Sequence, residues 1–352
     1  MSQDEENSRP LGSEAESFSP PQIPNRQSPY NPQPKPPDKN VTSSMNSDVD
    51  ETDICILGLP RSGKTTFLSV MDYALRRNTD WVLIPQSDTV ELIQDLQNIV
   101  VGGSEFPPAS RRSNIYSFKF ERFYGNTTEY VNATMPDIRG VDTNPVRPLQ
   151  DIYSQYVSKS WGVLFLVDSA VRPDKYKEYF VIFNSVFGRL GQIVDQLGTK
   201  DRPFPRKLHI AIALTKCDNF PIPEGIDKKP SKNDGEKPGP WKDPNGHLQD
   251  VLGQMAYSVV YGFEKHPKVN VSLDAISAVG YTKVDGKYVS QEMPSPDGSN
   301  PLIRDSANIV PVNVEKPLIR LLSGVWEEKK RQFESKGNNT RIDMIRHPFR
   351  RR

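Results

Sequence analysis

From Asp53 onward, short apolar runs alternate with segments whose apolar residues recur at helical spacing. The apolar runs have the length that is typical of buried strands, and the periodic segments are long enough to form helices. The predicted strands are 53–57, 161–167, 208–214 and 269–276, and the predicted helices are about 64–77, 90–101, 148–158, 175–197, 248–264 and 312–333. Strands and helices that alternate in this order predict an α/β fold with a parallel sheet.

Two further runs, 115–123 and 129–135, have the residue pattern of strands and are separated by Gly125-Asn126. A short connection of this kind favours a hairpin, so these two runs are predicted to pair antiparallel. The sheet is therefore expected to be mostly parallel with one antiparallel strand.

Polar segments divide the chain into one large domain, 51–336, and two tails. Residues 1–50 are rich in proline and serine and poor in large aliphatic residues, so we expect them to be disordered, either as a spacer or as a docking segment around 32–37. The basic tail 337–352 is interpreted as a solvated segment or a phosphate- or membrane-contacting patch. Insertions into the domain are expected at about 78–113, 221–247 and 281–309.

Charge, cysteine content and the length of the apolar runs indicate which classes of protein this chain can belong to. The chain has 45 Lys and Arg against 44 Asp and Glu, so its overall charge gives no reason to expect nucleic-acid binding. Its 2 cysteines are far apart, which favours a reducing compartment without disulfides. The acidic, proline-rich start does not resemble a signal peptide, and the apolar run 162–167 is too short to span a bilayer. We therefore expect a cytoplasmic protein without a transmembrane segment.

A phosphate-binding motif follows the first predicted strand. Residues 58–65 read Gly-Leu-Pro-Arg-Ser-Gly-Lys-Thr, which fits the G-x-x-x-x-G-K-[ST] pattern between a strand and a helix. Glycines allow the backbone N–H groups to point inward at phosphate oxygens, and the helix N-terminus adds a positive dipole end. Lys64 is expected to contact the β and γ phosphates, and the Thr65 hydroxyl to bind Mg²⁺.

The proline inside this loop has no N–H to donate. The expected phosphate-binding residues are therefore Gly58, Arg61, Ser62, Gly63, Lys64, Thr65 and Thr66.

Three other fragments indicate which nucleotide would bind. Asp137-Ile-Arg139-Gly140 fits D-x-x-G, in which the carboxylate would hold Mg²⁺ through water and the glycine amide would meet the γ-phosphate. Thr215-Lys216-Cys-Asp218 fits T-K-x-D, a variant of N-K-x-D, at the end of an apolar run. A fixed carboxylate accepts the adjacent N1–H and N2–H groups that only guanine offers, while the alkyl stem of Lys216 would cover the purine face. Ser277-Ala278 would supply a backbone N–H to the guanine O6.

The order and strand-end placement of these four fragments resemble the Ras-like, translation-factor-related (TRAFAC) class of P-loop GTPases. The resemblance covers roughly residues 52–335, and the long insertions are similar to those of prokaryotic accessory GTPases. It implies a P-loop NTPase three-layer sandwich that binds GTP with Mg²⁺ and hydrolyses it to GDP as a switch. The implied catalytic residues are Lys64, Asp137 and Gly140, and the implied metal ligands are Thr65 and Asp137. Arg139 is a candidate charge stabiliser in catalysis, and Ser110 is the candidate first-switch ligand of the metal.

The chain departs from the family pattern at the residue after D-x-x-G. Ras-like proteins often have a water-orienting glutamine there, whereas this chain has Val141, which neither donates nor accepts a hydrogen bond. Hydrolysis is then slow, or an activating protein, an effector or a dimer mate supplies the missing group. Residues of this chain that could contribute instead are Arg139, Arg111 and Arg112, as charge stabilisers, and the polar neighbours Asp142 and Asn144. In the first switch, the segment that would complete the Mg²⁺ shell, Thr89 and Ser113 are alternatives to Ser110.

Two other functions compete with a GTPase switch. A P-loop nucleotide kinase or ATPase would use the same loop, although such kinases lack T-K-x-D followed by Ser-Ala. A scaffold that binds GTP without hydrolysing it is compatible with Val141.

Overall fold

The computed structural model describes residues 52–58, 61–86, 89–103, 105–107, 114–124, 127–137, 155–171, 176–197, 199, 207–220, 239–285, 287–296 and 301–335. All of them belong to one compact unit, 45–352.

A 7-stranded sheet forms the centre of this unit. Its strands are β1 (Ile54–Gly58), β2 (Trp81–Pro85), β3 (Asn114–Tyr124), β4 (Thr127–Asp137), β5 (Gly162–Asp168), β6 (Leu208–Thr215) and β7 (Val269–Ala275), in the spatial order β2-β3-β4-β1-β5-β6-β7. The strand β3 is antiparallel to both of its neighbours, and the other pairs are parallel. The expected α/β fold, with a mostly parallel sheet and one antiparallel strand, is confirmed.

Helices cover both faces of the sheet. They are α1 (Lys64–Asn78), α2 (Thr89–Gln97), α3 (155–159), α4 (Tyr176–Gln196), α5 (Pro244–Leu252), α6 (Gln254–Lys265) and α7 (Glu315–Ser335). Alternate residues of β1, β5 and β6 face two separate hydrophobic clusters, one shared with α1, α2 and α7 and the other with α3 to α6. The described part of the chain thus forms three layers. None of its helices has the length and apolar character needed to cross a membrane.

The three central strands are buried along their whole length. Every residue of β1, β5 and β6 is buried, which explains why their sequences are continuous apolar runs rather than alternating ones. Phe165 on β5 contacts Phe183 and Phe187 edge-on, with ring centroids 5.6 and 5.7 Å away, so aromatic rings fill the layer between the sheet and α4.

Several sequence predictions need correction. The strand β2 lies in the segment 78–113, where only an extra helix was expected, and it pairs antiparallel with β3. The helix predicted at 90–101 is α2 followed by a π-helical turn, Asn98–Gly102. The single helix predicted at 248–264 is two helices, because Gly253 at φ 80° interrupts the backbone between them. Of the helix predicted at 148–158, residues 148–154 lie outside the described residues.

The segment 281–309, expected as a polar insertion, contains two small antiparallel ladders. The strand β8 (Tyr281–Val284) pairs with β9 (Lys287–Ser290), and β10 (Glu292–Met293) pairs with β11 (Leu302–Ile303). Strands this short carry too few apolar positions for sequence periodicity to reveal them.

We expect Gly324→Ala in α7 to destabilise the protein by about 1–3 kcal/mol. A Cβ at this position would overlap the His209 imidazole of β6, so the helix and the sheet would have to separate locally. The matched control is Gly188→Ala in α4, where a Cβ meets no atom within 4 Å. Because alanine favours the helix more than glycine does, this variant should be more stable than the wild type by about 0.5–1 kcal/mol. Urea unfolding of both variants measures the difference, and equal effects would contradict the close packing of α7.

We also expect His209 to make stability depend on pH. Burial, with the charges of Lys207 and Arg331, lowers its pKa from 6.5 to about 4. The unfolded chain therefore binds this proton more readily, so the stability due to neutral His209 is complete above pH 6.5 and is lost as the pH falls toward 4. The unfolding free energy lost over this pH range is on the order of 3 kcal/mol. Relative to His209→Gln, which has no titrating imidazole, the wild type should lose this stability between pH 6.5 and pH 4, and parallel curves of unfolding free energy would refute the assignment.

Candidate functional site

The parallel order β1-β5-β6-β7 brings four loops to one edge of the sheet. In register, Gly58 of β1 lies opposite Leu166 of β5, and Asp168 of β5 lies opposite Thr215 of β6. The carboxyl ends of parallel strands are the usual ligand-binding edge of an open α/β sheet. The loops after β1 and β6, and the residues just after β7, are the segments that carry three of the four sequence motifs.

The backbone of the loop after β1 is left-handed at two of its described residues. Arg61 and Gly63 adopt positive φ angles of 63° and 75°, and α1 begins directly afterwards at Lys64. The chain also passes closely over Gly58, where a Cβ would lie 2.5 Å from the Ser62 hydroxyl oxygen and 2.8 Å from Cγ of Lys64. Only glycine fits there without moving this loop.

Polar groups of this loop fit a phosphate group. Lys64 is 6% exposed, and its ammonium donates to the Gly58 carbonyl oxygen at 3.2 Å. The Ser62 hydroxyl is buried without a hydrogen-bond partner among the described residues. A buried donor without an acceptor is costly, so an anion at this place would satisfy it. Thr65 and Thr66 are half-buried at the start of α1, and Arg61 is exposed.

The Thr215 hydroxyl joins the phosphate loop to the end of β6. It lies 2.8 Å from the Ser62 carbonyl oxygen and 3.1 Å from that of Val167, and Thr215 itself is buried. The first residue of T-K-x-D therefore holds two neighbouring loops together.

Lys216 crosses the site toward β5. Its backbone is left-handed, with φ 57°, and its ammonium pairs with Oδ2 of Asp168 at 2.7 Å. The other carboxylate oxygen, Oδ1, accepts the amide of Ala170 at 2.8 Å. Because both ends of Lys216 are held, its alkyl stem has a defined position beside the Asp218 loop.

Asp218 is one of two buried acids of the site, the other being Asp168. It is 5% exposed, and its two carboxylate oxygens accept hydroxyl groups from different segments, Oδ1 from Ser277 and Oδ2 from Ser290, both at 2.7 Å. The structure thus brings together Asp218 and Ser277, which the sequence analysis predicted to act on one base.

The Ser277-Ala278 turn follows β7. The Ser277 amide donates to the Val312 carbonyl oxygen at 3.0 Å, so it is engaged within the protein. The backbone donor expected for a guanine O6 is therefore the amide of Ala278, a half-buried residue.

Sequence reasoning missed three side chains that hold the loops after β5 and β6. The Trp241 indole N–H donates to the Cys217 carbonyl oxygen at 2.9 Å, and the Tyr281 hydroxyl lies 2.9 Å from the same oxygen. His247 Nε2 donates to the Ser169 carbonyl oxygen at 2.9 Å. The one available signal was a tryptophan inside a polar, proline-rich insertion, which suggests a side chain that returns to the domain.

Titratable groups near the loop do not suggest a nucleophile. Burial raises the pKa of the Cys217 thiol to about 12, so it stays protonated at neutral pH and is a poor nucleophile. Burial also raises the pKa of the Glu292 carboxyl, an effect that the Lys216 ammonium opposes. Among the described residues, no group of three or more His, Cys, Asp or Glu side chains could hold a metal ion.

The fourth motif is only partly described. The backbone of Asp137 ends β4, directly beside β1, at the same edge of the sheet as the phosphate loop. Arg139, Gly140 and Ser110 lie outside the described residues, as do Arg111, Arg112, Ser113, Val141, Asp142 and Asn144. Thr89, an alternative first-switch residue, is buried, and its hydroxyl accepts the Ser117 amide at 3.2 Å.

Comparison with protein-family models and with curated proteins found no match for this chain.

We expect Thr215→Val to lower the unfolding free energy by about 1–2 kcal/mol. Valine has a similar shape but no hydroxyl, so the Ser62 carbonyl oxygen would lose the donor that the structure gives it. Thr215→Ser keeps the hydroxyl, so its unfolding free energy should fall by clearly less than that of Thr215→Val. Chemical unfolding of the three proteins tests this bond, and a valine variant as stable as the wild type would contradict it.

Proposed function

We propose that the protein binds GTP with Mg²⁺ and hydrolyses it slowly to GDP, acting as a nucleotide-dependent switch. The observation that carries the proposal is the buried Asp218 carboxylate, fixed beside Ser277, together with a positive-φ Gly-Lys loop at the same sheet edge. The first feature suits a guanine base, and the second suits phosphates.

Guanine is favoured over adenine by the hydrogen-bond inventory of Asp218. An ionised carboxylate only accepts, and guanine offers two adjacent N–H donors where adenine offers none. A buried acceptor that faces the wrong base would lose its partners, which makes discrimination strong. The Lys216 stem, held by Asp168, would lie along the purine face.

The phosphates would lie on the loop after β1. Lys64, the Ser62 hydroxyl and the amides of 61–66 would bind them at the N-terminus of α1. Thr65 and Asp137 would hold Mg²⁺, which neutralises charge on the β and γ phosphates. On binding, the Lys64 ammonium would exchange the Gly58 carbonyl oxygen for phosphate oxygens.

Slow turnover follows from Val141. A valine cannot orient the attacking water, so the missing group would come from the polar neighbours Asp142 or Asn144, from an activating protein or from a dimer mate. Arg139, Arg111 or Arg112 would stabilise charge on the phosphates. Val141 also favours a second candidate function, a scaffold that binds GTP without hydrolysing it. A nucleotide kinase is less well supported, because it does not explain Asp218.

Base selectivity should depend on Asp218. We expect Asp218→Asn to weaken GTP and GDP binding by about 100-fold or more and to shift preference toward xanthine nucleotides, whose ring carbonyl would pair with the new amide N–H. Competition titrations with GDP, XDP and ADP measure the shift. A wild type that binds ATP and GTP equally would exclude guanine recognition and favour the kinase.

The isolated protein should hydrolyse GTP at about 10⁻⁴ s⁻¹, the rate of Ras-like proteins without an activator. Single-turnover hydrolysis with Lys64→Ala as a blank separates this rate from contaminating phosphatases, because Lys64→Ala should lose tight triphosphate binding. A wild-type rate above about 1 s⁻¹ would show that a residue in cis replaces the glutamine. A rate equal to that of the blank, with GTP bound, would identify the scaffold.

A further inference from the structure

A segment outside the four motifs holds the second oxygen of Asp218. Ser290 ends β9, 72 residues beyond Asp218, and donates its hydroxyl to Oδ2 at 2.7 Å. The same hydroxyl oxygen accepts the amide of Glu292 at 3.0 Å. Of these two partners only the carboxylate can accept a hydrogen bond, so the hydroxyl hydrogen of Ser290 points to Asp218.

Ser277 holds the first oxygen in the same way. Its hydroxyl donates to Oδ1 of Asp218 at 2.7 Å and accepts the Gly280 amide at 2.8 Å. Two serines from different segments thus make matching bonds to the two oxygens of one buried carboxylate. Such a pair fixes both the position of the carboxylate and the rotation of its plane.

The segment that carries Ser290 is itself anchored. At its start, the Tyr281 hydroxyl lies 2.9 Å from the carbonyl oxygens of Cys217 and Phe220, on either side of Asp218. At its end, the fully buried Gln291 accepts the Asp305 amide at 3.0 Å through its side-chain oxygen. Ser290 therefore lies in a segment that is hydrogen-bonded to other parts of the protein at both of its ends.

Hydrogen-bond capacity decides whether Ser290 supports or obstructs a base. An ionised carboxylate has about four acceptor positions, two on each oxygen. The serines occupy one on each oxygen, so one on each remains for the two N–H groups of guanine. The arrangement has the capacity for both serines and the base at once.

We propose that Ser290 is a positioning residue for guanine recognition, which orients the Asp218 carboxylate from the side opposite Ser277. This inference depends on the proposed GTP-binding function and extends the base site to the β8–β10 segment, 281–293. It predicts that loss of the Ser290 hydroxyl weakens base recognition and leaves phosphate binding unchanged.

The test compares wild type, Ser290→Ala, Ser290→Thr and the control Thr282→Ala, which changes a half-buried hydroxyl of the same hairpin away from Asp218. Calorimetry with GDP, ADP and inorganic tripolyphosphate separates base binding from phosphate binding. Ser290→Ala should weaken GDP binding by about tenfold and change tripolyphosphate binding by less than about twofold. Ser290→Thr, which keeps the hydroxyl, should recover most of the loss, and Thr282→Ala should match the wild type.

Each other outcome identifies a different error. Tighter GDP binding by Ser290→Ala would show that the hydroxyl competes with the base, and unchanged binding would show that it has no part in recognition. Equal losses for GDP and tripolyphosphate, or a lower melting temperature with both ligands weakened, would show a structural role. A wild type that does not prefer GDP to ADP would overturn the proposed function, and the inference with it.

Discussion

The complete burial of β1, β5 and β6 is the constraint on which the rest of the structure depends. Buried backbone N–H and C=O groups must be paired, so three apolar strands in the middle of the molecule are held in one parallel register. Polar side chains can appear only where these strands end. Gly58, Asp168 and Thr215 end them at the same edge, and the candidate site is built from the residues that follow.

Bonds between these strand ends make one site from separate loops. Thr215 holds the phosphate loop through Ser62, Lys216 reaches Asp168, and Asp218 receives Ser277 and Ser290. Each bond joins positions that are distant in the chain, so each contributes only after the sheet has formed.

Charge is distributed unevenly across the site. Lys64 stands at the phosphate loop, whereas Asp168, Asp218 and Glu292 surround Lys216 at the other end. A nucleotide has its anionic phosphates at one end and N–H donors at the other if its base is guanine. The proposed function is consistent with this polarity, since the reverse orientation would bring phosphates toward carboxylates.

The sequence alone determined the α/β fold class, because apolar runs are local properties of the chain. The runs that became β1, β5, β6 and β7 were predictable, and so was the placement of Thr215, Asp218 and Ser277 at or just after the ends of β6 and β7. Only the tertiary structure decided that Trp81–Pro85 is an edge strand and that Trp241, Tyr281 and Ser290 brace the Asp218 loop. The partners of Trp241, Tyr281 and Ser290 are far away in the chain. Their role depends on long-range hydrogen bonds, which no local pattern encodes.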